Sequence, residues 1–135
     1  MVRIQVEYPS SKQCTLVHPE GHRLGTDAPR DIGGDASAFS PTDLVAGALA
    51  ACILTTIGMF AERHGLDLAG MRAEVDKEMS AAPRRIGRLP VRVVLPECVP
   101  DELRPVLEKV GRTCPVHASL HPEVDAPIEY VYGQG

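Results

Sequence analysis

The chain has 135 residues, of which 44% are hydrophobic and 24% charged, and its formal net charge is −4 with a pI of about 5.7. This length and composition fit one soluble globular domain, residues 1–135. The 14 lysines and arginines form no dense run, which argues against a nucleic-acid-binding surface. Aromatic residues make up only 4%, so a short chain has few large side chains for its core, which favours an oligomer.

The cysteines and the N-terminal sequence indicate the cellular compartment. The first ten residues, "MVRIQVEYPS", contain no apolar core of signal-peptide length, which predicts a cytoplasmic protein. The four cysteines form no C-x-x-C pair, which argues against a zinc ribbon or a thioredoxin-like motif. In a reducing compartment these thiols would be oxidised at most transiently. They are Cys14, Cys52, Cys98 and Cys114.

The first forty residues predict strands and a long loop. In "VRIQVEY", Val2, Ile4, Val6 and Tyr8 alternate with polar residues, as in a half-buried strand. "KQCTLVH" predicts a second strand, and a short third strand is expected near residues 23–24. The loop "GTDAPRDIGGDASAFS" follows, and loops of this length are often functional.

A long helix is predicted from Ser40 to Gly65. Ser40 suits the N-cap, Pro41 the first helical position, and Asp43 completes a capping box. The uncharged stretch from Leu44 to Phe60 is shorter than the roughly 20 residues of a membrane span, so it predicts a fully buried helix. Small residues would let a second helix cross it near Cys52; they are Gly47, Ala48, Ala50 and Ala51.

The second half alternates strands and short helices. Strand patterns cover residues 71–79 and 85–95, and Pro90 indicates an edge or an irregularity within the second one. A helix is expected over residues 101–110, a shorter one from Pro115, and a closing strand over residues 127–133. Strands, long helix, strands, helix and strand in this order predict an α+β domain.

Cys52 and Cys114 differ in what their local sequence offers. Cys52 lies in the middle of an apolar helix, where burial disfavours a thiolate unless another segment supplies a cation. Cys114 precedes Pro115 and can cap a helix, where unpaired N–H groups would stabilise a thiolate. Together with Cys52, the run Cys114, His117 and His121 could also bind a metal, and a Cys–His pair could hydrolyse a substrate. The residues alone leave these readings open beside a purely structural role.

The two segments "SPTDLVAGALAACILTTIG" and "CPVHASLHPEV" resemble the OsmC/Ohr family (osmotically inducible protein C and organic hydroperoxide resistance protein) of thiol-dependent hydroperoxide reductases. The resemblance covers nearly the whole chain. It implies an OsmC-like α+β fold, with an antiparallel sheet, a long buried central helix and an intertwined homodimer whose active sites lie at the interface. No metal or cofactor is expected, and neither nucleic acid nor a membrane is an expected partner.

The resemblance also assigns roles to the two thiols. Cys52 would be the peroxidatic thiolate that cleaves the O–O bond of an organic hydroperoxide and becomes a sulfenic acid. Cys114 would resolve that acid as an intramolecular disulfide, which a dithiol reductant, in some members a lipoylated protein, would then reduce. Met59 and Phe60 are candidates for the lining of an apolar substrate pocket.

The family also places an arginine beside the reactive sulfur. Arg30, eleven residues before Pro41, is the best positional match, and Arg23 is the second. The family glutamate that pairs with this arginine is replaced here by Thr42, so Asp43 either substitutes for it or only caps the helix. This departure keeps a second hypothesis open, a non-catalytic OsmC-fold dimer that binds a small apolar or thiol ligand.

Overall fold

The computed structural model describes residues 1–134, which fold into α-helices and β-strands as the α+β prediction requires. Two 3-10 turns, Arg30–Ile32 and Asp101–Leu103, accompany them. The chain divides into two compact units, Met1–Val45 and a second that begins at Ala46. The prediction of one domain over residues 1–135 stays a prediction, and its last residue lies outside the described range. The elements are β1 (Gln5–Ser10), β2 (Gln13–Val17), β3 (Arg23–Thr26), α1 (Pro41–Arg63), β4 (Arg72–Val75), β5 (Glu78–Ser80), β6 (Arg85–Arg88), β7 (Val91–Leu95), α2 (Arg104–Gly111), α3 (Pro115–Ser119) and β8 (Ile128–Tyr132).

The first unit contains an antiparallel sheet in the order β1-β2-β3. The three predicted strands are confirmed, but β1 starts at Gln5 and every residue in it is exposed. Half-burial of this strand was a wrong prediction, because its apolar side chains are exposed within residues 1–134. The alternating apolar residues Val2, Ile4, Val6 and Tyr8 are 64%, 46%, 59% and 64% exposed.

The loop between β3 and α1 is held together by one buried carboxylate. Asp27 is 1% exposed, and its side chain accepts hydrogen bonds from the amides of Ala28 (2.7 Å), Asp35 (3.3 Å) and Ser37 (3.0 Å) and from the Ser37 hydroxyl (2.7 Å). A Cβ at Gly34 would overlap the Ala28 carbonyl, so the loop closes tightly on itself. The loop thereby presents Arg30 from an ordered backbone.

Helix α1 begins where its capping signals predicted. The Ser40 hydroxyl accepts from the Asp43 amide (3.1 Å), and the Asp43 carboxylate accepts from the Ser40 amide (2.9 Å), which is a reciprocal capping box. The helix ends at Arg63, and Gly65 follows with a φ of 66°, a conformation that favours glycine at a helix end.

Only one face of α1 is buried in the single chain. Its length and composition would also allow a membrane span, but the buried face packs into the hydrophobic core of the second unit. The uncharged sequence predicted complete burial, but within residues 1–134 the second face of the helix is exposed. Buried residues are Ala46, Leu49, Ala50, Ile53, Ile57, Phe60 and Ala61, and exposed ones include Val45, Gly47, Ala48, Ala51, Thr55 and Met59.

The second unit builds its main sheet in the order β4-β7-β8, with β5 and β6 as a separate hairpin. Strand pairing is antiparallel except between β7 and β8, which run parallel because residues 96–127 cross over through α2 and α3. Each of the two predicted long strands is interrupted, the second at Pro90, which has no N–H for the ladder. The core of this unit joins α1 to β7 and α2; its fully buried members include Leu49, Ile53, Ile57, Leu89, Val93, Leu95 and Leu107.

The Asp27 loop gives a pH-dependent prediction. The Ser37 hydroxyl and the neighbouring amides hold the pKa of Asp27 below its ordinary 3.8. The folded chain therefore binds this proton less readily than the unfolded chain. The stability contribution of the carboxylate is complete above pH 3.8 and is lost as the pH falls through the lower folded-state pKa.

We expect Asp27→Asn to lower the free energy of unfolding at neutral pH, because an amide nitrogen cannot accept these hydrogen bonds. The difference from wild type should shrink as the pH falls below 3.8, which urea unfolding across a pH series measures. Asp67→Asn is the matched control, since the Asp67 carboxylate accepts from a single exposed amide, that of Ala69 (3.0 Å). A difference that grows on acidification would contradict the assignment.

Candidate functional site

Helices α1 and α3 bring Cys52 and Cys114 together inside the second unit. Cys52 lies midway along α1 and is partly buried, whereas Cys114 directly precedes α3 and is 0% exposed. Cys52 lies close enough to Cys114 to raise the pKa of its thiol, and both thiols are free rather than joined as a disulfide. Two cysteines far apart in the sequence therefore share one site.

Cys114 caps α3, as its position before Pro115 predicted. Its sulfur accepts a hydrogen bond from the His117 amide (3.2 Å), and this amide and that of Val116 lower the pKa of Cys114. Burial is the largest influence, however, and together with Cys52 it raises the pKa of Cys114 above its ordinary 9.0. The capping amides therefore favour a Cys114 thiolate, as expected, but burial and the neighbouring Cys52 together outweigh them.

The thiol pair is unequal. Cys52 raises the pKa of Cys114 because it can accept a hydrogen bond from the protonated Cys114 and, when ionised, repels a second negative charge beside it. The protonated thiol is therefore the favoured state of Cys114 beside Cys52. Cys52 is also the more accessible of the two sulfurs. In such a pair the accessible thiol can react with a reagent from solution. The buried thiol can then attack the oxidised sulfur of its neighbour.

Tyr130 and Gly111 form one wall close to Cys114. The Tyr130 hydroxyl donates to the Glu108 carbonyl (3.0 Å), and burial raises the pKa of Tyr130 to about 12, with Cys114 among the contributing charges. A Cβ at Gly111 would overlap the Tyr130 hydroxyl and would lie 3.4 Å from Ile57 Cδ1. The sequence indicated Tyr130 only as a strand residue, because the crossover that places β8 beside α2 leaves no local signal.

The surroundings of Cys52 separate the two predicted lining residues. The Cys52 carbonyl accepts from the Thr56 hydroxyl (2.8 Å), which satisfies that hydroxyl within the helix. Met59 lies two turns after Cys52 on the same helix face and is 50% exposed. Phe60 is 7% exposed, belongs to the core and stacks on His64, with ring centroids 4.1 Å apart. Of these two residues, Met59 is therefore the one placed to contact a molecule that approaches Cys52 along this face.

The alternative metal site is not assembled. The His117 Nε2 atom lies 3.1 Å from the Ala126 carbonyl, and His121 Nδ1 accepts from the Glu123 amide (3.1 Å). Within residues 1–134, one group of three metal-ligating side chains has its ligand atoms within 4.8 Å of one another, and it does not include Cys114, His117 or His121.

Arg30 and Asp43, the other predicted site residues, belong to the first unit. Arg30 is exposed at the start of a 3-10 turn, and Arg23, the second candidate arginine, is exposed at the start of β3. Asp43 is half-buried and forms the capping box with Ser40, so it caps the helix. Its substitution for the family glutamate, and the role of either arginine, stay predictions.

Comparison with known proteins places this architecture among relatives. The model of the OsmC-like protein family matches residues 34–129. A protein from Psychrobacter arcticus 273-4, described provisionally as an osmotic stress induced and detoxification response protein, is 35% identical and has a TM-score of 0.91, with 96% of each chain covered. No curated protein sequence matches the chain.

Two further structures share the fold at lower identity. The organic hydroperoxide resistance protein OsmC of Legionella pneumophila is 19% identical, with a TM-score of 0.73 and coverage of 97% of this chain and 96% of its own. The organic hydroperoxide resistance protein OhrB of Bacillus subtilis is 15% identical, with a TM-score of 0.67 and coverage of 96% and 97%. With the family match and the 35% identical relative, these likenesses show that the chain belongs to the OsmC/Ohr family and has its α+β fold.

Proposed function

We propose that this protein is a thiol-dependent peroxidase that reduces organic hydroperoxides, with Cys52 as the peroxidatic and Cys114 as the resolving cysteine. The proximity of the two thiols carries the proposal, because an intramolecular disulfide requires the sulfurs to be neighbours. Membership in a family that includes organic hydroperoxide resistance proteins supports the same chemistry.

The reaction takes place in three balanced steps. The Cys52 thiolate attacks the terminal oxygen of the hydroperoxide, the O–O bond breaks, and the alkoxide takes a proton to leave as an alcohol. The Cys114 thiol then attacks the Cys52 sulfenic acid, forming the S–S bond and releasing water. A dithiol, proposed to be a small dithiol or a lipoylated protein of the cytoplasm, reduces the disulfide by exchange and is itself oxidised. The proton that Cys114 gives up in the second step leaves with the sulfenic hydroxyl as water.

The apolar setting of Cys52 favours an organic substrate. The thiol lies in a helix without charged residues from Leu44 to Phe60, and Met59 is exposed on its face. Transfer of an alkyl or aryl tail from water onto such a surface contributes about 25 cal/mol per Å² of buried apolar area. Hydrogen peroxide has no such tail and gains nothing from these contacts.

The loop arginine is proposed to activate the site. Arg30 would lie beside the Cys52 sulfur, where a guanidinium favours the thiolate and donates hydrogen bonds to the peroxide oxygens. The buried Asp27 supports this, because its four hydrogen bonds fix the loop that carries Arg30. Asp43 is proposed as the carboxylate that serves the arginine in place of the family glutamate.

The working unit is proposed to be a homodimer. The apolar face of the N-terminal strand is exposed, as are small residues of α1 that permit close helix contact. A single chain that leaves this much apolar surface in water is typical of a subunit. The residues involved include Val2, Ile4, Val6, Tyr8, Gly47, Ala48 and Ala51.

A second candidate function is a non-catalytic dimer that binds a small apolar or thiol ligand. Two observations favour it: Thr42 stands where the family has glutamate, and Asp43 is engaged as the helix cap. The two functions differ in one product. Peroxide treatment followed by peptide mapping yields a Cys52–Cys114 linkage only if the thiol pair reacts.

The first prediction from the peroxidase proposal concerns the two thiols. With cumene hydroperoxide and a dithiol, we expect Cys52→Ser to reduce kcat/KM by at least about 10³-fold, because the nucleophile is lost. Cys114→Ser should still consume one equivalent of peroxide and hold Cys52 as a sulfenic acid, which a dimedone probe detects by mass. Cys98→Ser is the matched control and should remain fully active, since Cys98 is exposed outside the site. Full activity of Cys52→Ser would refute the peroxidase proposal.

The second prediction separates the two arginines. Arg30→Gln should lower kcat/KM by at least about tenfold, because it removes a cation that favours the thiolate. For the same reason, the rate of Cys52 alkylation by iodoacetamide should begin to rise only at a higher pH than in wild type. Arg23→Gln, an equally exposed charge of the same unit, should stay within about twofold of wild type. The reverse order of the two variants would assign the role to Arg23, and unchanged behaviour of both would exclude either arginine.

The third prediction concerns assembly. Sedimentation equilibrium should give a mass about twice the 14.5 kDa of one chain. Val6→Asp should shift the population towards monomer, because it buries a charge in the proposed interface. Glu7→Gln, at the neighbouring position on the opposite face of β1, should leave the dimer intact. A monomeric wild type at micromolar concentration would rule out this assembly.

A further inference from the structure

The turn between β2 and β3 collects three side chains of the types that bind transition metals. His18, Glu20 and His22, from the segment "HPEGH", have their ligand atoms within 4.8 Å of one another. His18 is partly buried, and the other two are exposed. None of the three takes part in the peroxidase proposal.

The backbone of the hairpin places the two imidazoles side by side. Val17 pairs with Arg23 at the end of the ladder, and the His18 amide donates to the His22 carbonyl (2.9 Å), so these histidines are the next cross-strand pair. Gly21, with a φ of 94°, closes the turn. The two imidazole centroids are 5.3 Å apart. The geometry of the pair therefore comes from the main chain.

A second segment of the chain shows that the turn does not need His22. Residues 121–125 read "HPEVD", and His121 Nδ1 accepts from the amide two residues later (3.1 Å), as His18 Nδ1 does (3.1 Å). In both segments the fourth residue donates its amide to the histidine carbonyl (2.9 Å). The position of His22 is taken there by Asp125, which instead pairs with Arg88 (2.9 Å). The His-Pro-Glu turn forms without a second imidazole, so the turn does not account for His22.

We propose that His18, Glu20 and His22 bind one divalent transition-metal ion of the zinc type. Two imidazole nitrogens and one carboxylate oxygen are a donor set that zinc accepts, with water completing the coordination. Nitrogen-rich sites of this kind also take Ni²⁺ and Cu²⁺, whereas Mg²⁺ and Ca²⁺ prefer oxygen ligands. The site is independent of the thiol chemistry and would stand if that proposal failed.

Two features hold the affinity below that of a closed structural zinc site. The Glu20 amide donates a hydrogen bond to Nδ1 of His18, and coordination by His18 breaks this bond. A metal on Nδ1 takes the place of the amide, and a metal on Nε2 leaves the ring proton on Nδ1, which then cannot accept. Arg3 lines a shallow groove of about 230 Å³ with His18, and its positive charge opposes a cation there. The site therefore suits reversible binding.

Zinc titration by isothermal calorimetry tests the proposal in metal-free, reduced protein that carries Cys52→Ser, which disrupts the competing thiol pair. We expect one Zn²⁺ per chain. His22→Ala and Glu20→Gln should each weaken Zn²⁺ binding by at least about tenfold, because each removes a ligand. Removing a ligand costs more metal affinity than removing a residue that only supports a ligand. His121→Ala is the matched control and should bind as tightly as the parent.

Imidazole ¹⁵N spectra locate the ion. On addition of Zn²⁺ the nitrogens of His18 and His22 should shift, while those of His121 should not. Far-ultraviolet circular dichroism checks that His22→Ala is folded, and Glu20→Gln preserves the size of its side chain. Saturable binding that His22→Ala and Glu20→Gln both leave within twofold would overturn the proposal, as would its absence in the Cys52→Ser parent.

Discussion

The proximity of the Cys52 and Cys114 thiols is the constraint on which the proposed chemistry depends. It requires the centre of α1 and the start of α3 to meet in one core, and the packing of both against β7 and β8 supplies that meeting. Once the sulfurs are neighbours, their unequal burial differentiates them, because burial and the neighbouring Cys52 together penalise a charge at Cys114 more than the two amides favour it. The site is therefore a product of core packing, with little contribution from local sequence around either cysteine.

The same unit shows why a capping cysteine need not be a reactive one. Helix α3 spans only Pro115–Ser119, and its N-terminal amides offer Cys114 one direct hydrogen bond, from His117. Because Cys114 is 0% exposed, water cannot solvate a negative charge on its sulfur. Local helix electrostatics and burial thus oppose each other, and burial prevails. A reactive thiol at this position would need a nearby cation within the core.

Sequence reasoning succeeded where the signals are local. The Ser40–Asp43 capping box, the glycine after α1, the N-cap at Cys114 and the break at Pro90 follow from backbone requirements that each residue type meets by itself. It failed where the answer depends on what covers a surface or on distant packing. The exposure of β1 and the neighbourhood of Tyr130 and Gly111 are set by tertiary contacts. The two cysteines were paired only through resemblance to a family, since spacing alone cannot bring residues 52 and 114 together.

The start of α1 and the preceding loop show how the family pattern can change without loss of order. The carboxylate of the cap comes from Asp43, and the Thr42 hydroxyl lies 3.2 Å from the Ser40 hydroxyl. The loop that bears Arg30 is fixed by the Asp27 carboxylate and by the close approach at Gly34, and these contacts form with threonine at position 42. The backbone of Arg30 is thus positioned independently of a glutamate at Thr42. Under the peroxidase proposal, that glutamate would control the direction of the guanidinium, so threonine at this position would bear on catalytic efficiency more than on the fold.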